Sequence, residues 1–196
     1  MDNNFVNRRD RIVASAIELI SEAGLSSLTT KNLAMKERMS ESLLYRYFGG
    51  IDEVLVEVIK IFTKFDDSII ATVEAKKITH LEKAIDFLKT LDSYYEGYRE
   101  LTVVILNYEE FLHNVNTREM VTECIKKRTD FVKKELEFAI EEKEIIDTFS
   151  AEELSILFFG GFEQNLLNQR VWDDGKEHAH GMASILDKLS DMIKIK

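Results

Sequence analysis

At 196 residues, 45% of them hydrophobic and 32% charged, the chain has the length of one large domain or two small ones and enough apolar content to fold. It contains no proline and only eight glycines, which excludes turn-rich sheet architectures and favours long, uninterrupted helices. Its single cysteine, Cys124, excludes an internal disulfide and a cysteine-based metal site, and the net charge of −10 speaks at first against a nucleic-acid partner.

Ile12, Ala16, Leu19, Ile20 and Ala23 recur at helical spacing, with Gly24 where a C-terminal cap would sit, so a first helix is predicted over about residues 6–23. Thr29 or Thr30 caps a short second helix carrying Leu33 and Ala34, and Ser40 caps a third that runs to Phe48. After Gly49-Gly50, the residues Val54, Leu55, Val58, Ile59 and Phe62 begin a long amphipathic helix whose first turn holds Asp52 and Glu53, favourable to its dipole. Apolar stripes continue through Leu81 to Tyr95, Leu101 to Leu112, and Val121 to Ala139. A further helix is expected from Ser150, with Glu153 at capping-box spacing, to Trp172, and a last one from about Ala179 to Ile193. DDGKEHAHG between these two is the clearest loop.

The expected fold is all-α, with about nine helices and no strand-length alternation. An N-terminal helix-turn-helix domain of three helices occupies residues 1–50 and continues into the long helix from about 51. A helical bundle with a dimerisation face occupies 51–196. The longest apolar stretch, Leu154 to Phe162, falls short of the ~20 residues that span a bilayer. No membrane partner is expected, and the absence of an apolar leader segment at the N-terminus implies a cytoplasmic location.

The distribution of charge qualifies its total. Residues 1–50 hold seven Lys/Arg against six Asp/Glu, so the acidity belongs to the remainder of the chain. With a Debye length of about 8 Å at physiological salt, acid in a distant domain barely affects an N-terminal surface in contact with a duplex.

Two short helices with a tight connection have the form of a helix-turn-helix, whose second member enters the major groove. The string GLSSLTTKNLAMKERMSESLLYRYFGGIDEVL, Gly24 to Leu55, resembles the DNA-binding domain of the tetracycline-repressor (TetR) family. The resembling residues are Gly24, Thr29, the Leu33-Ala34 pair, Ser40, the Leu44-Tyr45-x-Tyr47-Phe48 block and Asp52-Glu53-x-x-Leu55. Helical periodicity turns Leu44 and Phe48 inward and leaves Glu41, Ser42, Leu43, Arg46 and Tyr47 to face outward. The resemblance implies Glu41, Ser42 and Leu43 for base readout, with Tyr45, Arg46 and Tyr47 positioned on phosphates. Thr29, Thr30 and Lys31, at a helix N-terminus, offer hydroxyls and backbone N–H groups to another phosphate. Two departures stand out. Glu37 and Arg38 replace the usual small residue and glycine of the turn, which is expected to be strained or differently shaped. Glu41 and Ile51 stand where the family often has phosphate-binding lysines; Glu41 can accept from a cytosine amino group but repels phosphate.

Other constellations carry less. Glu110/His113 and Glu177/His180 have the Glu-x-x-His spacing of helical di-iron proteins, but the first pair points away from the apolar stripe and the second lies in a loop. No metal, cofactor or enzymatic activity is expected, since no nucleophile–base arrangement or glycine-rich phosphate loop is present. Aromatic residues crowd the central helices, and a largely apolar cavity there would be the effector site that the resemblance implies, lined by Leu88, Leu91, Tyr95, Tyr108 and Phe162. Arg128 falls inside the apolar stripe of its helix, where it must snorkel, pair with an acid such as Glu135, or anchor an anionic effector. Leu154, Phe158, Phe162 and Leu166, with Ile185, Leu189 and Ile193, offer more apolar surface than one bundle requires and are expected to pair across a two-fold axis. The partners expected are therefore an operator in double-stranded DNA, a small-molecule effector and a second copy of the chain. The alternative is a helical ligand-binding or protein-interaction module of the same shape that binds no specific operator.

Overall fold

The computed structural model describes residues 7–171 and 181–195. Trp172, most of the DDGKEHAHG loop, Glu177, His178, Ala179 and His180 lie outside them. Among the described residues the architecture is all-helical: α1 (Arg8–Ala23), α2 (Thr30–Lys36), α3 (Glu41–Leu44), α4 (Ile51–Thr63), α5 (Asp66–Glu74), α6 (His80–Gly97), α7 (Thr102–Leu106), α8 (Tyr108–His113), α9 (Arg118–Glu141), α10 (Ala151–Val171) and α11 (Met182–Ile193). Two of the expected helices are each divided. The helix from 51 breaks at Lys64-Phe65, which places Asp66 in the first turn of α5, and the helix from 101 breaks at Asn107. Neither break carries a proline or glycine, so periodicity alone could not reveal it.

Two compact units are present, residues 1–64 with 100–122, and residues 65–99 with 123–196. In the first, α1 packs on α2, α4 and α7. Ile12, Ala16, Leu33, Val54, Val58, Ile59 and Val104 are completely or almost completely buried there. The ring of Phe62 meets that of Tyr108 edge-on at 6.3 Å.

In the second unit α6 packs against α5 and α11, and α10 against α11. Leu81, Ala84, Leu88, Val132, Leu136, Phe158 and Leu186 form its core. The entry to α6 is closed twice. Thr79 and Glu82 form a reciprocal capping box, and Glu144 accepts from the N–H groups of His80 at 3.0 Å and Leu81 at 2.9 Å. Glu144 reaches them because α9 ends in a left-handed turn at Lys143 (φ 58°), with Lys143 N–H bonded to Ile140 and Glu144 N–H to Ala139. The Ser150–Glu153 capping box forms as the sequence predicts: Ser150 N–H reaches Glu153 Oε2 at 2.8 Å, and Glu153 N–H reaches Ser150 Oγ at 3.2 Å.

Candidate nucleic-acid interface

Short helices need their ends satisfied, because most of their backbone groups lie in terminal turns. Thr29 Oγ1 accepts from Asn32 N–H at 3.1 Å and starts α2; Ser40 Oγ accepts from Leu43 N–H at 3.2 Å and starts α3. Between them α2 ends in a Schellman turn, with Arg38 N–H on the Met35 carbonyl (3.1 Å) and Met39 N–H on the Ala34 carbonyl (2.9 Å). Arg38 occupies its left-handed position at φ 51°, a conformation that costs a non-glycine residue roughly 1–2 kcal/mol. The turn expected to be strained is therefore strained at Arg38. It is held in place by the preceding residue: buried Glu37 accepts from Arg11 Nε (3.0 Å) and Nη2 (2.9 Å) and from Ser15 Oγ (2.6 Å). Burial pushes the Glu37 carboxyl up, but the hydrogen bonds from Ser15 and Arg11 outweigh it and hold the group below the ordinary glutamate value.

The α-helical part of α3 is four residues long, shorter than the predicted run to Phe48. The chain continues as tight turns, with Tyr45 N–H on Glu41, Arg46 N–H on Leu43, and Tyr47 and Phe48 N–H on Leu44. Leu44 and Phe48 are buried as the periodicity requires. Outward, Thr29, Lys31, Ser40, Glu41, Ser42, Tyr45 and Arg46 are exposed, whereas Thr30, Leu43 and Tyr47 are half-buried. Seven of the ten residues expected to meet DNA are thus open to solvent. Thr30 differs from expectation in its bonding, because its hydroxyl donates to Glu41 Oε2 at 2.6 Å. That bond links the start of α2 to the start of α3 and fixes the Glu41 carboxylate on the outer face.

The segment after α3 is clamped by a residue the sequence reading did not single out. The Arg9 guanidinium lies over the Phe48 ring, 4.2 Å from its centroid. It donates to the Tyr47 carbonyl and to Glu53 Oε1 at 2.5 Å, while Glu53 Oε2 accepts from Gly49 N–H at 2.7 Å. The Gly49 hydrogen bond and the Arg9 contact lower the Glu53 carboxyl below its ordinary value, and the Glu53 contact raises Arg9. Glu53, legible in the sequence as a helix-start acid, is thus also the far end of a clamp. Beside it opens a cleft of about 620 Å³ lined by Arg9, Lys60, Asp52, Glu53 and Glu57 among others. Three carboxylates against two cations do not suit a phosphate, in keeping with the missing lysine at Ile51.

In the second unit Leu88, Leu91, Tyr95 and Phe162 are buried, and the rings of Tyr95 and Phe162 lie 6.2 Å apart. Tyr108, the fifth apolar residue of the expected effector set, belongs to the first unit. Arg128 is directed into the core, but its fork is taken by Asp66, with Nε on Oδ2 at 2.9 Å and Nη2 on Oδ1 at 2.8 Å, and Nη1 donates to the Tyr95 hydroxyl at 2.9 Å. The expectation of an anion anchor is corrected accordingly, since a bidentate carboxylate partner already fills that role. Glu135, the acid on the same side of the helix as Arg128, instead meets His80 Nδ1 at 2.7 Å. Asp92, absent from the sequence reading, is 5% exposed, and its Oδ1 has no hydrogen-bond partner. Burial, with repulsion from Glu96, pushes its carboxyl up to about 6.

The expected dimer face is also corrected. Leu154, Phe158, Phe162, Leu166 and Ile193 are buried within the subunit and cannot be offered to a second copy; Ile185 and Leu189 are half-buried. The exposed apolar side of α10 is instead Ile156, Leu157, Leu167 and Val171, with exposed Gly160 among them, and Met192 is exposed on α11. Among the described residues no group of three His, Cys, Asp or Glu side chains is placed to hold a metal ion, and no helix is long and apolar enough to cross a membrane.

Residues 12–58 match the family model described as bacterial regulatory proteins, tetR family. A 53-residue stretch is 36% identical to the HTH-type transcriptional regulator HbdR of Aromatoleum sp. (strain CIB), covering 27% of this chain and 23% of that protein. Solved structures share the fold over nearly the whole length. The ketosteroid transcriptional regulator KstR2 of Mycobacterium tuberculosis has a TM-score of 0.78 at 13% identity, covering 97% of each chain. The transcriptional regulator FadR from Bacillus subtilis, solved in complex with stearoyl-CoA, has a TM-score of 0.70 at 18% identity, covering 93% of this chain and 95% of that one.

Proposed function

We propose that this chain, whose residues 12–58 belong to the tetR family of bacterial regulatory proteins, is a one-component transcriptional regulator: a homodimeric repressor that binds a palindromic operator and is released by a small-molecule effector. The observation that carries the reading is the exposure of Ser42, Tyr45 and Arg46 after the Ser40 cap, and of Lys31 on the preceding helix, on a backbone held by that cap and the Arg9 clamp. Ser42 and Glu41 would face base edges, and Arg46, Lys31 and the Tyr45 and Tyr47 hydroxyls would hold phosphates. Residues 1–50, extended by α4, form the DNA-binding part in this reading, and the rest serves effector and partner.

The exposed side of α10 with Met192 of α11 is the face we assign to the second copy. Ile156, Gly160, Leu167 and Val171 follow one another at helical spacing, and Gly160 lets a facing backbone approach closely. A two-fold pair would present two recognition segments to half-sites about 34–36 Å apart or a multiple of that spacing. An effector with an apolar body suits the second unit, as stearoyl-CoA suits FadR of Bacillus subtilis. It releases DNA only by preferring a dimer whose recognition segments are wrongly spaced, since a ligand with equal affinity for both states shifts nothing.

The test is a gel-shift against the DNA upstream of the protein's own coding sequence. Specific, salt-sensitive binding that weakens in Arg46→Ala and Tyr47→Ala is expected. Binding indifferent to both substitutions would refute the phosphate assignments. The second reading, a module of this shape that recognises no operator, is favoured by the Glu41 carboxylate fixed on the outer face and by Ile51 at the start of α4; absence of any specific upstream binding would establish it.

A further inference from the structure

Asp92 lies on the buried side of α6, four residues after Leu88 and three before Tyr95. Its Oδ1 is fully buried and meets no hydrogen-bond donor. The cation nearest to it along the helix, Lys89, is engaged with Asp187 at 2.5 Å, and the charged residue one turn on, Glu96, is a like charge. On α10, three residues after Phe162, the side-chain amide of Asn165 also ends in a buried nitrogen without a partner. Tyr95 and Phe162 bring these two helices together, with their rings 6.2 Å apart.

Two uncompensated polar groups therefore lie in the same unit, each three residues along its helix from one member of an apolar ring pair. Neither serves stability, because a buried polar group without a partner opposes folding, and a carboxylate among leucines and aromatics opposes it most when ionised. Contrast with that unit's other buried charges sharpens the point: Arg128 is bonded on every arm of its fork, to Asp66 and Tyr95, and Glu135 meets His80. The core is thus complete toward an anion and incomplete toward a cation.

We infer that Asp92 anchors a small-molecule site in the second unit that takes an amphipathic primary amine, its ammonium donating to Asp92 Oδ1 and its carbon body lying along Leu88, Tyr95 and Phe162. An ammonium supplies both the missing donor and the missing counter-charge, which an alcohol or an acid cannot do together. The inference rests on the effector reading above and names the class of compound that would act there.

The experiment is calorimetric titration and thermal shift on the whole chain, without DNA, using hexylamine, hexanol and hexanoate. Hexylamine is expected to bind at least tenfold more tightly than either of the others and to raise Tm. In Asp92→Asn, which keeps the shape and removes the charge, its affinity should fall tenfold or more while the unliganded protein melts no lower than wild type. Equal binding of the three probes by wild type overturns the inference without reference to any variant, as does affinity within threefold in Asp92→Asn. A gel-shift with hexylamine separates the two readings. Specific operator binding with no amine affinity removes the Asp92 site alone, whereas amine binding that leaves the operator complex intact supports the site and removes the release mechanism.

Discussion

In the first unit two inward-turned charges hold turns. Glu37 ties the strained α2–α3 connection to α1 through Arg11 and Ser15, and Arg9 ties the Tyr47–Gly49 segment to α4 through Glu53. In the second unit the charges Arg128, Asp66, Glu135 and Asp92 are buried; the first three have partners and Asp92 Oδ1 does not. The difference teaches what each arrangement is for. Polar contacts at element ends fix backbone geometry, which suits a surface that must present side chains in register. Ionic groups in a core add little net stability over apolar residues, so their presence calls for another explanation, such as orientation or a ligand.

The strongest way to break this comparison is to remove one partner of the core ion pair. Arg128→Met should leave Asp66 as an uncompensated buried carboxylate and cost about 3–5 kcal/mol in urea unfolding. The double variant Arg128→Met/Asp66→Leu should recover most of that loss. A double variant as unstable as the single one would mean that the pair holds the second unit together after all.

The two units should also answer pH with opposite sign. The Asp92 carboxyl is raised to about 6, so the folded state keeps a proton that the unfolded chain has already released. This contribution favours folding below the unfolded value and disappears as pH rises through about 6. Relative to Asp92→Asn, wild type should lose roughly 2–3 kcal/mol between about pH 4 and pH 7. A flat difference between the two proteins over that range would remove the contrast.

Glu37 and Glu53 are lowered, so their contributions are present above the unfolded glutamate value and fade as pH falls through the folded one. Glu37→Gln should destabilise the protein by about 1–2 kcal/mol at neutral pH, and the deficit should shrink on acidification. A deficit that grows in acid contradicts the assignment.

The smallest expected effect is one the two units share. Arg38 and Lys143 each hold the left-handed position of a helix-ending turn. Glycine there relieves steric cost but loses more unfolded freedom, so Arg38→Gly and Lys143→Gly should each gain about 0.5–1 kcal/mol. If only Lys143→Gly stabilises, the Glu37 tie already absorbs the strain in the first unit.

Local chemistry was legible in the sequence because it repeats within a few residues. The Ser40 cap, the Ser150–Glu153 box, the inward pair Leu44 and Phe48 and the all-helical class follow from spacing. What stayed hidden joins distant residues. The Arg9–Glu53 clamp spans 44 positions and the Arg128–Asp66 pair spans 62, and periodicity, which directs Arg128 inward, cannot say which acid waits there. For the same reason spacing alone does not say which apolar stripe of α10 a second copy would meet. A helix that carries apolar residues on more than one side has two stripes to bury, and the sequence is silent on which the subunit consumes. Tertiary packing decided that Leu154, Phe158, Phe162 and Leu166 close the core and that Ile156, Leu157, Leu167 and Val171 remain outside. Hydrophobic burial is non-directional and satisfied by any apolar neighbour, so only the arrangement of the other helices could make that choice.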